Sequence, residues 1–398
     1  MTTPKFDFSK FIADRVPQGT PQRNVARPQY DFGTGFPDPE SFPIEGLHEA
    51  LGRALKEQGR DLVLYSDPQG HPEMRQLITE KLRRERGIVI HPDQVLVTGG
   101  SGAAIALFVQ LFTNPGDVLL TESFTYLGTL SIMRNLQARI VGVDTDKEGM
   151  KPDSLDQTIN DLARLSIKPK LIYTIPTFQN PLGTDMGVQR RKDILAVAQK
   201  HGVPIYEDDA YEDLRFENER APAIQSYDDS GIVVYSGTFS KILGPGMRIG
   251  FLTAPRELLP RINAMYWGRP TSQFAVLAAL YYLREHLDDH VSEICDILRS
   301  RRDIMLTAIG ECFGSAVTSS HPAGGLYLWV GLPEGANTAL VVEKARQKGV
   351  AYLAGSSFSP RGDGNNYFRL CFGYENPQGI LSGIAALAEV FAEQGLLD

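Results

Sequence analysis

The chain of 398 residues is longer than one compact domain usually grows, which predicts two packed subdomains. With 42% hydrophobic and 22% charged residues it has the composition of an ordinary globular protein, which excludes a disordered or fibrous chain. A formal net charge of −8 argues against nonspecific nucleic-acid binding, which needs a basic surface.

The N-terminal stretch MTTPKFDFSKFIADRVPQ has no apolar core of the signal-peptide type. No apolar run further along reaches the ~18 residues of a membrane-spanning helix. The three cysteines, Cys295, Cys312 and Cys371, cannot all pair and lack metal-ligand spacing, which fits a reducing compartment. These features predict a cytoplasmic protein with no membrane partner.

The first thirty residues are polar and proline-punctuated: an arm, with a short helix expected at SKFIADRV. EGLHEALGRALKEQ has helical periodicity, with Leu47, Ala50, Leu51 and Leu55 on one face. From about residue 90, apolar strands alternate with amphipathic helices. QVLVTGG, GDVLLTE, ARIVGVD, KLIYTIP, VPIYEDD and GIVVYSG read as short buried strands, and MRIGFLTA as a further one. GAAIALFVQLF, DSLDQTINDLARL and VQRRKDILAVAQKHG read as helices. Near-continuous apolar strands between helices indicate a mostly parallel sheet covered on both faces. After about residue 285 a long charged helix, EHLDDHVSEICDILRSRRDIMLTAIGECF, leads into GGLYLWVGL, GVAYLAG and NYFRLCFG, the texture of a smaller α+β domain.

In such a sheet, function belongs at the carboxyl ends of the strands. TGGSGAA joins a strand to a helix and presents free backbone N–H groups, an anion cradle, although a glycine-rich turn alone is more often only a tight turn. YEDDAYEDL places Asp208, Asp209 and Tyr211 after a strand, where an acid commonly caps the next helix. IPTFQNPLGT puts Asn180 before a proline, which is also ordinary turn chemistry. YFRLCFGY sets Arg369 inside an apolar strand, where it must snorkel, pair with an acid or meet an anionic ligand. SGTFSKILGPGMRIG places Lys241 in a turn between two strands, behind a run of hydroxyls and ahead of Arg248.

One chemistry uses all of these parts: a phosphorylated pyridine aldehyde held as an imine. Its phosphate wants a helix N-terminus, the hydroxyls of Thr238 and Ser240, and the guanidinium of Arg248. Its aldehyde wants the amine of Lys241. Its ring nitrogen keeps a proton only beside a carboxylate. Its ring oxygen wants the donors Asn180 and Tyr211, and its ring face suits Tyr126. The carboxylate of an amino-acid substrate suits Arg369.

This order of parts resembles the fold type I pyridoxal-phosphate enzymes, in particular the class I/II aminotransferases, from about residue 30 to the C-terminus. SGTFSKILGPGMRIG, QNPLG, DDAY and RLCFG carry the resemblance, which is closest to the aminoadipate, kynurenine and aromatic amino-acid branch through GFPDPESFP and IPTFQNPLG. It implies a three-layer α/β/α large domain with a mostly parallel sheet and a smaller α+β C-terminal domain. The arm would cover 1–30, a segment packing with the small domain 31–60, the cofactor-binding domain 61–285 and the small domain 286–398.

It also implies pyridoxal 5'-phosphate as cofactor, with Lys241 as the Schiff-base lysine, Asp208 rather than Asp209 on the ring nitrogen, and Arg248 on the phosphate. Gly102 and Ala103 would offer backbone to that phosphate, Asn180 and Tyr211 would share the ring oxygen, and Gly35 would lie near the substrate. Tyr65 would reach the phosphate of the neighbouring subunit of a homodimer. Members of this branch commonly use 2-oxoglutarate as amino acceptor in a ping-pong exchange. The chain departs from the family at Phe124, where relatives usually carry proline, and this bears on the stacking role of Tyr126.

Two alternatives stand beside amino transfer. One is elimination, cyclisation or decarboxylation with the same cofactor. The other is a non-catalytic sensing module of the kind found in regulators with a DNA-binding helix-turn-helix, against which the acidic composition and the early start of the resemblance both weigh. Arg23 and Arg27 could meet an acidic substrate tail, although exposed arginines on an arm are the plainer reading.

Overall fold

The computed structural model describes residues 6–13, 16, 27–266, 271–315 and 317–397. Much of the expected arm, Arg23 included, lies outside these. Within it, Phe8–Phe11 forms a single 3-10 turn where a helix was expected, capped by the Asp7 side chain.

Two helices, α1 (Ile44–Gln58) and α2 (Pro72–Arg86), precede the main sheet. On α1 the buried face is Leu47, Ala50 and Ala54, while Leu55 is exposed: the helix turns the last expected position out of the stripe. Seven strands follow: β1 (Val95–Thr98), β2 (Val118–Glu122), β3 (Arg139–Val143), β4 (Leu171–Thr174), β5 (Ile205–Asp208), β6 (Val233–Thr238) and β7 (Gly250–Thr253). Their spatial order is β1-β7-β6-β5-β4-β2-β3, and only β7 runs against its neighbours. Helices α3 (Ser101–Phe112), α4 (Leu127–Asn135), α5 (Pro152–Arg164) and α6 (Val188–His201) connect the first strands.

Strand residues alternate between two cores, as the pleat requires. Leu119, Leu171, Tyr173 and Tyr206 join the core that holds the buried residues of α3, whereas Leu120, Ile172 and Ile205 join the core of α5 and α6. Burial on both sides explains why these strands read as continuous apolar runs.

After α7 (Leu259–Tyr266), helix α8 (Gln273–Phe313) runs for 41 residues. It begins twelve residues ahead of the expected charged helix, because the run AVLAALYYL continues it and is buried almost without a break from Val276 to Leu283. The expected boundary at 285/286 therefore falls inside one helix, which packs against both α1 and α10 (Pro377–Glu393).

The C-terminal sheet is antiparallel, with β8 (Thr318–Ser319), β9 (Tyr327–Gly331), β10 (Leu353–Ala354) and β11 (Tyr367–Cys371) in the order β8-β9-β11-β10; α9 (Val342–Gln347) lies between β9 and β10. GVAYLAG divides in two: Val350–Ala351 pairs in parallel with Tyr30–Asp31, and only β10 joins the small sheet. That first pairing brings the Gly33–Phe36 loop to the edge of the C-terminal unit.

Strand register builds the site. Gly250 stands opposite both Thr98 and Thr238, and Asp208 opposite Ser236. The carboxyl ends of β5 and β6 therefore finish side by side, that of β1 lies just across the first residue of β7, and the turns that follow these strands open onto one space.

Candidate active site

That space is a cavity of about 560 Å³ between the sheet ends and the small domain. Gly35, Ser101, Tyr126, Asp208, Tyr211, Lys241 and Arg369 all line it. They come from loops and strands far apart in the chain: Arg369 also meets the carbonyl of Gly33, 336 positions away.

Lys241 leaves the turn after β6 and donates from Nζ to the Gly35 carbonyl at 2.9 Å. Burial lowers its ammonium to about 8, and the nearby Arg369 charge pushes the same way. A Cβ at Gly35 would run into the Tyr327 hydroxyl, so any larger residue there has to displace that ring.

Asp208, at the end of β5, accepts from the Tyr173 hydroxyl at 2.5 Å and from Ser236 Oγ at 3.4 Å. Burial raises its carboxyl to about 7; the Tyr173 bond works against this and the neighbouring Asp209 adds to it. A cationic ligand in the cavity would favour the ionised form. Asp209 points elsewhere. Its carboxylate meets the Arg86 guanidinium at 2.6 Å, with both side chains fully buried. Breaking a buried pair strands the other charge, so Asp209→Ala should cost roughly 3–5 kcal/mol of stability, read as a lowered urea midpoint.

Arg369 lies on β11 with 3% of its surface exposed. It donates to Asn180 Oδ1 at 2.9 Å and to the Gly33 carbonyl, and its guanidinium lies 4.1 Å from the Tyr327 ring centroid. Its buried Nε has no partner among the described residues, and no carboxylate there pairs with it. Asn180 in turn donates from Nδ2 to Tyr211 Oη at 2.9 Å, so one amide orients both neighbours. The Tyr211 and Tyr327 hydroxyls stand 3.3 Å apart.

At the other end of the cavity, α3 opens with Ser101, Gly102 and Ala103 after Gly100, whose φ of 93° closes the turn. A side chain at Gly100 would also meet the Arg248 guanidinium at 2.7 Å. Arg248 holds a left-handed φ of 53° and donates to the Gly99 carbonyl at 2.5 Å. Thr238 Oγ1 donates to Ser240 Oγ at 2.9 Å and accepts from the Ser240 N–H at 3.1 Å. The turn thus gathers a helix N-terminus, two hydroxyls and an exposed guanidinium. Tyr65 is not part of this cavity: it is fully exposed beside the exposed Val63 and Leu64. Phe124, the departure from the family pattern, packs against Trp329 at 5.3 Å between ring centroids, while Tyr126 still reaches the cavity wall.

The donor set suits a ligand with an anion at the α3 end, an aldehyde at the lysine, a basic ring nitrogen at Asp208 and a substrate carboxylate at Arg369. The family model for aminotransferase class I and II matches residues 27–379. The chain belongs to that family. An aromatic-amino-acid aminotransferase of Thermococcus litoralis is 36% identical over 363 residues, covering 90% of this chain and 87% of the relative. Among solved structures, the multiple substrate aminotransferase of Thermococcus profundus superposes with a TM-score of 0.91 at 32% identity, over 98% of this aminotransferase and 99% of that one. The kynurenine aminotransferase of Pyrococcus horikoshii, solved with PMP, gives a TM-score of 0.87 at 33% identity, over 92% and 91% of the two chains. This aminotransferase is a pyridoxal-phosphate enzyme acting on amino acids, on an α/β fold with a small antiparallel C-terminal sheet. Among the described residues no helix is long and apolar enough to cross a membrane.

Tyr173, Ser236 and Tyr327 contribute to the site without having been expected there. Tyr173 and Ser236 act on Asp208, and the Tyr327 hydroxyl neighbours both Gly35 and the Tyr211 hydroxyl. A tyrosine inside an otherwise aliphatic strand such as KLIYTIP is a faint signal, since a buried hydroxyl needs a partner.

Proposed function

We propose that the enzyme moves the amino group of an α-amino acid to 2-oxoglutarate in two half-reactions sharing one site. In this reading Lys241 anchors the cofactor and, once released, moves the α-proton. Pyridoxal phosphate supplies an electrophilic aldehyde and an electron-accepting ring; binding, orientation and proton movement fall to the chain.

The observation that carries the reading is the pairing of Lys241, an amine lowered toward neutrality, with Arg369, a buried guanidinium that no carboxylate answers among the described residues. An amino acid held by its α-carboxylate on Arg369 brings its α-hydrogen toward the lysine. Asp208 pairs with the ring nitrogen, and Asn180 and Tyr211 serve the ring oxygen. Tyr126 covers the ring face, and Gly35 lets the substrate approach Lys241. Gly102, Ala103, Thr238, Ser240 and Arg248 hold the phosphate. Tyr65, with its exposed apolar neighbours, completes the site of a second copy, so the working unit is a homodimer. Three free cysteines suit a reducing, cytoplasmic setting.

The test is an absorption spectrum of the purified holoenzyme during single additions from an amino-acid panel without acceptor. Bleaching of the visible band of the lysine-bound cofactor, restored by 2-oxoglutarate with glutamate formed mole for mole, is the expected result. A band that persists while ammonia or carbon dioxide is released would replace amino transfer with elimination or decarboxylation.

A further inference from the structure

The charges that line the cavity leave one unanswered. Three are cationic, Lys241, Arg369 and Arg346, and two are carboxylates, Asp31 and Asp208. The function proposed above uses Lys241 for the aldehyde, Asp208 for the ring nitrogen and Arg369 for the α-carboxylate. Asp31 is answered within the chain: its Oδ1 accepts the N–H groups of Gly33 and Thr34, each at 3.0 Å, and its Oδ2 lies 3.9 Å from Arg27 Nε. Arg346 remains.

Arg346 stands in the last turn of α9, exposed at the cavity rim, with no ion-pair partner among the described residues. A cation at a helix C-terminus is ordinarily there for the helix dipole. That accounts for the charge but not for the face. Val342, one turn earlier, lines the same cavity, so α9 lays one side on it. Tyr352 and Leu353 continue this wall.

We propose that Arg346 reads the distal carboxylate of a dicarboxylic substrate, while Val342, Tyr352 and Leu353 receive an apolar side chain in the other half-reaction. The inference rests on the dicarboxylic acceptor of the function proposed above, and it explains how one site can serve both kinds of side chain. A guanidinium at a rim stays hydrated when an apolar group fills the wall, so no charge is stranded. A distal carboxylate gains a charge-assisted, fork-shaped contact.

The experiment compares Arg346→Met and Arg346→Lys with wild type as holoenzymes, measuring kcat/KM for 2-oxoglutarate and for pyruvate with one donor. Binding of glutarate and of butyrate is measured alongside by calorimetry. The expected result for Arg346→Met is a fall of roughly 10- to 30-fold in the 2-oxoglutarate to pyruvate ratio, carried by KM, with a similar loss in glutarate over butyrate and partial recovery in Arg346→Lys. If wild type uses 2-oxoglutarate and both ratios survive Arg346→Met, the assignment of Arg346 is overturned and the acceptor stands. If wild type uses pyruvate, ignores 2-oxoglutarate and binds glutarate no better than butyrate, the acceptor fails and this inference with it.

Discussion

Lys241→Ala should lose at least about 10⁴-fold in turnover, because under the proposed function one substitution removes both a covalent anchor and a proton-transfer base. Lys241→Arg should fall as far. It keeps a cation in the cavity, but a guanidinium does not give up its proton at any working pH. The pair therefore separates the two things lysine offers, charge and a titratable amine. The lowered value of about 8 has its own consequence. An ordinary lysine near 10.4 is neutral in only about one molecule in 2,500 at pH 7, whereas one at 8 is neutral in roughly one in ten. Since only the neutral amine attacks an aldehyde, cofactor uptake by the cofactor-free protein should speed up from pH 6 to 8 and level off above about 9. Stopped-flow absorbance after mixing with pyridoxal phosphate measures this. A rate still climbing tenfold per unit beyond pH 9 would show that burial has not lowered the amine, and turnover near wild type in Lys241→Ala would remove the lysine from the chemistry.

What could be read from the residues, and what could not, divides along a physical line. Lys241, Asp208 and Arg369 are charges in or beside apolar strands, where desolvation makes an idle charge costly; they therefore stand out against their surroundings. The alternation of apolar runs and amphipathic helices exposed the parallel sheet for a similar reason, since burial on both faces leaves an unmistakable composition. Tyr173 did not stand out. Its hydroxyl matters only because β4 lies beside β5, a pairing that no local pattern declares. The Gly33 carbonyl that Arg369 meets is brought there by Tyr30–Asp31 joining Val350–Ala351, a two-residue contact across most of the chain. The start of α8 was hidden because AVLAALYYL is apolar all round, so helical periodicity had nothing to contrast with. Arg346 looks like any helix-end cation until the position of α9 against the cavity is known.

Asp208→Asn should lower kcat/KM by roughly 10²–10⁴-fold while leaving thermal stability near wild type, and Asp209→Ala should do the reverse. The two carboxylates are adjacent in sequence and both buried, yet they answer to different partners. Asp209 neutralises Arg86 inside the protein. Asp208 has no cation of its own among the described residues, only the hydroxyls of Tyr173 and Ser236, and burial holds its carboxyl near 7. Such a group costs free energy to ionise in the empty protein; in the proposed function it would regain this beside a protonated ring nitrogen, so its charge would stabilise the loaded state specifically. Asparagine has nearly the same shape and can still accept the Tyr173 bond, but it has no charge with which to hold that proton. The sign on pH follows. Loading the cofactor favours the ionised carboxylate, so the group should titrate near 7 in the cofactor-free protein and move below that value in the holoenzyme. Tyr173→Phe, which removes a hydrogen bond that favours the ionised form, should move it back upward. Carboxyl infrared difference spectra across pH 5–9 on wild type, Asp208→Asn and Tyr173→Phe would follow the group directly. A carboxyl that titrates at the same pH with and without cofactor would mean that Asp208 does not face the ring nitrogen, and an Asp208→Asn variant that loses stability without losing rate would return both acids to a purely structural role.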